Sequence, residues 1–467
     1  MTMRQHQWPN TADIPGLSAH QQEQSSRAMS SPLGILAGTP GTGKTFTVAG
    51  IVHQILRRYG AADIACAAPT GKAAVRMTET MQQQYGLPVV ASTIHQLLEV
   101  GRNGHDGQGW GFMRNAREPL DQLFVFADEM SMADTELAAS LLEAIPRGGH
   151  LLLIGDPYQL PPVGTGAPLR DLIASGRIGY GELNEIRRNA GLIVEGCQRI
   201  KDWQPFQAPT ELDLEAGKNW KHFAAHSVDS QVRTLTQLLM QVPPNVNRVW
   251  DVQVIVAVNE SGPLARKPLN EHLQKLLNPQ HPLKEKQRFT RRDKVICTSN
   301  CWLPRIDYFQ DMPLELFHKK EDREPDEVMF VANGELAHVA ALDEKVAVLK
   351  LQSSSQFVLC SLQNDDAGEC AGNKFDLGYA ITCHKSQGSQ AKVIIALIDD
   401  SNGANWVTCR EWWYTACSRA ERVLFTVGDW SVLWKQAKRV TLQKRKTFLR
   451  EILTADVGNG ANMVQPV

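Results

Sequence analysis

Eight consecutive residues, Gly38-Thr39-Pro40-Gly41-Thr42-Gly43-Lys44-Thr45, carry the clearest chemistry in the sequence. This G-x-x-x-x-G-K-[ST] run follows an apolar stretch at 34–37 and opens a helical pattern through Phe46, Val48, Ile51, Val52 and Ile55. Glycines at this spacing let backbone N–H groups turn inward around phosphate oxygens, and a helix N-terminus adds partial positive charge. Lys44 suits the β- and γ-phosphates as a point charge, and the Thr45 hydroxyl suits Mg²⁺. A second apolar run, 124–127, ends in Asp128-Glu129. A strand that delivers two carboxylates at its C-terminal end sets them in the crevice where parallel sheets bind ligands. Asp128 there suits the Mg²⁺ shell, and Glu129 suits orienting and deprotonating a water. A third run, 150–155, leads into Asp156-Pro157-Tyr158-Gln159, which puts Gln159 within reach of a γ-phosphate or an attacking water. The implied ligand is a nucleoside triphosphate with Mg²⁺.

Strands and helices must hold these groups in place. Apolar runs at 34–38, 64–68, 123–127 and 150–155 end in polar or Gly/Pro residues and are separated by stretches long enough for crossover helices, an α/β pattern with a buried parallel sheet. A second α/β unit has strand candidates at 252–258, 374–382, 392–397 and 423–428. Between them, 294–373 carries short β-rich runs that read as a small inserted β-barrel. Residues 98–119 break the first pattern with closely spaced glycines around Trp110 and Phe112, either a protruding hairpin or a linker. The expected organisation is an arm at 1–16, a first α/β domain at 17–180 and a second at 181–467 that ends in a basic helix at about 431–453. That helix is either solvated or an auxiliary nucleic-acid contact.

Composition sets outer bounds. The 467 residues are too many for one core, and 43% hydrophobic with 21% charged residues is ordinary for a globular protein. No apolar run approaches the ~20 residues of a membrane span, and the polar N-terminus lacks the apolar stretch of a signal peptide, so a cytoplasmic protein is expected. Nine scattered cysteines include one close pair, Cys297 and Cys301, without the further ligands of a zinc site. A net charge of −1 gives no global basic signal, though a local basic strip suffices to grip phosphates.

The ordered motifs resemble those of superfamily 1 helicases, in their usual order: GTPGTGKT (38–45), AAPTGKAA (67–74), STIH (92–95), DEMSM (128–132), GDPYQLPP (155–162), LNEIRRN (183–189), YAITCHKSQGSQ (379–390) and YTACSRA (414–420). The TIH, DEMSM and HKSQG forms are similar to the RecD/Dda branch, superfamily 1B. That likeness implies two RecA-like motor domains, a strand-separating pin carrying Trp110 and Phe112 in the first, and an SH3-like barrel in the second. It implies ATP turnover assisted by Arg188 and Arg419 reaching from the second domain, with Lys44, Glu129 and Gln159, and adenine contacts from Gln21 beside residues 38–45. It implies an ATP-dependent DNA helicase that translocates 5′→3′ on single-stranded DNA and unwinds duplex at single-strand/duplex junctions, with the strand held by Pro69, Thr70, Lys72, Thr93, His95, Asn300, Thr382, His384, Lys385, Ser386 and Gln387. Hydroxyl and basic groups of this kind position a strand without reading its sequence. Expected partners include a single-strand-binding protein or replication and recombination factors, with a monomeric motor and no membrane. An RNA helicase, a P-loop switch without unwinding and a subunit of a recombination complex stay open. Trp302 and Tyr308 are either core or base-stacking rings.

Overall fold

The computed structural model describes residues 14–102, 110–185, 191–279, 288–308, 312–317, 328–364, 370–441, 445 and 447–455. The first lobe is a six-stranded parallel sheet in the order Ser92–Thr93, Ile64–Ala68, Phe124–Ala127, His150–Gly155, Leu33–Gly38, Gly179–Leu183. Its inner strands are buried along nearly their whole length, because helices cover both faces. The second lobe is a five-stranded parallel sheet in the order Ala380–Thr382, Val252–Val256, Ala391–Leu397, Ala420–Gly428, Trp220–Ala224. Both sheets run Val/Ile/Leu/Ala-rich inside, and loops at their C-terminal edges carry the polar motifs.

The expected boundary between 180 and 181 falls inside a strand. Gly179–Leu183 is the edge of the first sheet, with Gly38 opposite Leu183, so the first lobe extends through Leu183. Its glycines hid it from periodicity, and their cause is a neighbouring helix. Ala19–Ala28 lies so close to this edge that a Cβ on Gly181 would stand 1.9 Å from the Gln24 carbonyl oxygen, and one on Gly34 1.9 Å from that of Ala28. The helix is fixed there by Gln24, whose side-chain oxygen accepts from Glu182 N at 3.0 Å. Gly181→Ala forces backbone apart in a packed layer, an overpacking cost of about 1–3 kcal/mol. Thermal unfolding should show a lowered midpoint, and an unchanged one would contradict the close helix contact.

Residues 14–16 also belong to the first lobe. Ile14 is buried in its core, and the Pro15 carbonyl accepts from the Tyr85 hydroxyl at 2.9 Å. The rest of the expected arm lies outside the described residues.

The expected strand at 374–382 is two strands. Phe375–Leu377 pairs antiparallel with Lys294–Cys297, while Ala380–Thr382 joins the second parallel sheet. The insertion is therefore a seven-stranded antiparallel sheet in the order Val328–Val331, Cys301–Ile306, Phe357–Ser361, Val346–Leu351, Leu336–Leu342, Lys294–Cys297, Phe375–Leu377. Among the described residues its two end strands do not pair with each other. In the first lobe, Val100–Arg102 and Trp110–Phe112 form a two-stranded antiparallel hairpin whose tip lies outside the described residues.

The basic C-terminal run is not one helix. Trp430–Ala437 ends early, the chain crosses back to the first lobe, and Leu449–Thr454 packs on Pro168–Ser175 through Leu449 and Leu453. Arg445 fixes the crossing: its guanidinium donates to the carbonyls of Pro162 (2.6 Å), Gly164 (2.7 Å) and Gly166 (2.8 Å). A planar fork that finds three carbonyls in reach is satisfied inside the protein and is not a solvated charge.

Candidate active site

Gly41 and Gly43 have φ of 81° and 82°, the left-handed region that side chains avoid, which turns residues 38–43 back over the start of helix Lys44–Arg58. That helix has no side-chain N-cap, so its first N–H groups are left for an anion. Lys44 Nζ donates to the carbonyls of Gly38 (2.6 Å) and Thr39 (3.4 Å), which folds the ammonium into the loop. Thr42 Oγ1 donates to the Thr39 carbonyl at 2.8 Å, and Pro40 sits half-buried at the apex. Gln21 does something other than expected. Its oxygen accepts from Ser18 N (3.3 Å) in a capping box and its Nε2 donates to the Thr42 carbonyl (3.2 Å), so both ends of the carboxamide brace the loop.

Thr45 Oγ1 donates to Asp128 Oδ2 at 3.2 Å, bringing the two expected Mg²⁺ ligands together. Burial, and then the neighbouring Glu129, push the Asp128 carboxyl above the usual range; Lys44 and Arg76 pull it back. Glu129 is itself strained, with φ 53°, and its buried Oε2 has no hydrogen-bond partner among the described residues. Two crowded carboxylates, one with an orphaned oxygen, fit a cation placed between them and the Thr45 hydroxyl. Arg76 was not foreseen. It lies one helical turn after Lys72, half-buried in the field of Glu129 and Asp128; the i, i+4 spacing of two cations behind a strand end was the available signal.

The two lobes meet over this site. Arg419, buried at 2% exposure, donates from Nη2 to Gln159 Oε1 of the first lobe at 2.8 Å, while Nε is held by the Thr415 carbonyl at 3.2 Å. Tyr414 donates to Asp156 Oδ2 (2.8 Å), Leu160 N to Thr415 Oγ1 (2.8 Å), and Gln198 Nε2 to Thr39 Oγ1 of the phosphate loop (2.9 Å). Asp156, Tyr414 and Gln198 are further seam residues that single-sequence reading passed over. Burial raises the Asp156 carboxyl, with Lys44 the first opposing charge. Arg188 lies outside the described residues.

Beside the seam opens a cavity of about 890 Å³ lined from both lobes. Pro69, Thr70, Lys72, His95 and Phe112 face it from the first lobe, and Asn300, Thr382, His384, Lys385 and Gln387 from the second. Two expected contacts are absent from its lining. Thr93 is buried as the N-cap of Ile94–Leu97, accepting from Gln96 N at 3.1 Å, and Ser386 is buried and donates to the Cys383 carbonyl at 2.7 Å. Both hydroxyls are consumed by local backbone, the common fate of Ser and Thr at helix ends. Nothing is described of the Trp110 side chain. Burial lowers His95 and His384, which makes them neutral groups here and not cations. Asn333 and Arg445 also line the cavity; Asn333 accepts from Lys385 Nζ at 3.1 Å. His95 stands between Phe112 of the hairpin (5.6 Å between centroids) and Phe330 of the inserted sheet (5.9 Å), and Trp302 packs on Phe330 (5.3 Å).

Burial brings Lys72 down to about 8, against the opposing pull of Glu335 and Glu421. Below that pH the ammonium is present, and above it the charge is lost. Affinity for a polyanion in the cavity should therefore fall from about pH 7 to about pH 9, and Lys72→Met should flatten the profile and reduce the salt slope by about 0.7 per lost phosphate contact. Titration by fluorescence anisotropy checks both, and an unchanged pH profile in the variant would remove Lys72 from the grip.

A phosphate loop and paired carboxylates in one parallel-sheet lobe, capped by an arginine and tyrosine from a second, are the arrangement of a two-lobed P-loop nucleotide-binding protein. Comparison with known proteins narrows this. Residues 21–165 match the AAA domain family and residues 377–427 the UvrD-like helicase C-terminal domain. Over 94% of its length the chain is 28% identical to the ATP-dependent RecD2 DNA helicase of Deinococcus radiodurans, covering 53% of that protein. Over 94% it is also 27% identical to the RecBCD enzyme subunit RecD of Mycolicibacterium smegmatis, covering 76% of it. A crystal structure of Pif1 helicase from Bacteroides aligns over 90% of this chain and 94% of its own, at 17% identity and a TM-score of 0.44, a likeness too weak to bear on the site. Over nearly its whole length the chain is therefore similar to RecD-type DNA helicases, and it spans about half the length of the RecD2 relative. No helix among the described residues is long and apolar enough to cross a membrane.

Proposed function

We propose that this chain is an ATP-dependent DNA helicase that moves on single-stranded DNA, in the 5′→3′ sense, and separates strands at single-strand/duplex junctions. The observation that carries the reading is the Arg419–Gln159 bond across the seam, in the same interface that ties Gln198 to the phosphate loop. An arginine from one lobe held on the γ-phosphate-sensing glutamine of the other makes lobe closure depend on what the phosphate loop holds. Thr45 and Asp128 would hold Mg²⁺, which when bound neutralises charge on the β- and γ-phosphates. Glu129 orients the attacking water and takes its proton. Lys44 binds the triphosphate, and Arg419, with Arg188 from the same lobe, compensates charge in the transition state.

DNA lies in the cavity shared by both lobes, gripped through its backbone by Thr70, Lys72, Thr382 and Lys385. The hairpin ending in Phe112 acts as the pin, braced through His95 on the inserted sheet, which we read as a small SH3-like barrel that closes the track. A duplex step costs about 1.4 kcal/mol, one tenfold in rate. Phe112→Ala should therefore slow strand separation about tenfold while single-strand-stimulated ATP turnover stays near normal; equal losses in the two assays would demote the pin. Strand displacement on matched substrates with a 5′ or a 3′ tail, in DNA and in RNA, tests the whole reading: activity confined to the 5′-tailed DNA is expected, and activity on RNA alone or on neither would overturn it.

A further inference from the structure

A second cleft lies at the root of the inserted sheet, between it and the second lobe, and shares no lining residue with the motor cavity. Its volume is about 590 Å³, within the range of formed binding sites. Arg291, Arg292 and Lys350 stand exposed on its rim. Trp250, Tyr308 and Phe357 lie half-buried in its floor. Among the described residues that line it, none is acidic. In a chain of net charge −1 this is a local concentration of positive charge, not part of a general basic surface.

The groups are held in place. Arg291 Nε donates to the Ala340 carbonyl at 3.1 Å, which fixes the side chain at the cleft and leaves the outer guanidinium nitrogens out of that bond. Arg292 has φ 73°, a conformation that non-glycine residues rarely adopt, pinned by its N–H on the Val339 carbonyl at 2.8 Å. Lys350 Nζ lies 5.6 Å from the Phe357 ring, and Tyr308 packs on Phe357 at 5.4 Å. Beneath them Lys294 bonds the Val249 carbonyl and Gln253 Oε1, both at 2.9 Å, with its ammonium 5.4 Å from the Trp250 ring. The field of Lys350, Arg292 and Arg291 adds to burial in keeping the neighbouring His338 neutral.

We infer that this cleft is a second binding site for single-stranded nucleic acid, taking phosphates on the Arg291–Arg292–Lys350 rim and bases against Tyr308, Phe357 and Trp250. A positive rim over aromatic planes is the chemistry that suits a polynucleotide without regard to sequence. Rings sunk in a floor accept unstacked bases, which a duplex does not offer. The inference rests on the nucleic-acid reading of the motor cavity and adds a stretch of strand beyond it, anchored to the insertion and not to the moving seam.

The test uses the whole chain with oligothymidylates of about 8 and about 30 nucleotides, the shorter sized for one groove and the longer for both. In the parent protein the long oligonucleotide should bind more tightly than the short one and show a steeper salt dependence. Arg291→Glu with Lys350→Glu should weaken the long one about tenfold, lower its salt slope by about 0.7 for each phosphate released, and leave both binding of the short one and the ATP turnover it stimulates within about twofold. Photo-crosslinking of 5-iododeoxyuridine-substituted long strand to the parent protein gives a readout independent of the variant's folding, with adducts expected on peptides holding Tyr308 or Trp250. Equal affinity for the two lengths, or crosslinks confined to the motor cavity, overturns the second site alone. Failure of both lengths to bind overturns the helicase reading along with it.

Discussion

Arg419→Ala should lower kcat for ATP by about 10³–10⁵, the range in which arginine fingers act, while nucleotide affinity changes little. The geometry explains why the loss should fall on turnover. Arg419 does not sit among the phosphate-loop donors; it is held at the seam by Gln159 and the Thr415 carbonyl. It reaches across a lobe boundary, so under the proposed mechanism its charge acts on the transferring phosphate and not on ground-state binding. Arg419→Lys keeps the charge and loses the planar fork, and should recover only a small part of the rate. Removing the guanidinium also leaves the buried Gln159 oxygen without its donor, at about 1–3 kcal/mol, so thermal unfolding must be measured beside single-turnover kinetics and nucleotide binding. A double-mutant cycle with Gln159→Ala isolates the pair, for which a coupling of about 0.5–3 kcal/mol is expected between contacting residues. A loss confined to nucleotide affinity would sink the finger.

The phosphate loop and the carboxylate pair were legible because each follows a buried apolar run whose end is fixed by sheet geometry. Ile64–Ala68 and His150–Gly155 have the bounds expected of them, and the groups needed for chemistry sit on the next residues. What escaped notice depended on neighbours far away in sequence. Gly179–Leu183 has no apolar run to mark it, and its glycines make sense only with helix Ala19–Ala28 pressed against them. Trp220–Ala224 carries Lys221 and His222 side by side and is only partly buried because it is an edge, unlike the buried runs further inside the sheet. The same holds at the site. Thr93, Ser386 and Gln21 are of the right type for ligand contacts, but nearby backbone groups claim them, and residue type alone cannot tell a cap from a contact. Arg445 looked like one charge in a basic run, and only the carbonyls of Pro162, Gly164 and Gly166 show that it ties the chain end across the lobes.

Glu129→Gln should separate binding from chemistry most cleanly. The amide keeps the shape and the left-handed backbone at φ 53° but no longer takes a proton from water, so kcat should fall by about 10²–10⁴ with ATP still bound. The same change should stabilise the fold. In the parent protein, burial and Glu129 hold the Asp128 carboxyl above its unfolded value. A folded carboxyl with a raised pKa binds more protons than the unfolded one, so stability declines as pH rises through that interval. Removing the neighbouring negative charge shrinks the decline: Glu129→Gln should melt higher than the parent at neutral pH, and the gap should close in acid, where Asp128 is protonated in both. Opposite signs for activity and stability at one position are what a site strained for function predicts. Normal turnover in this variant, or a melting point below the parent's at neutral pH, would mean that Glu129 is neither the base nor a source of the crowding at Asp128.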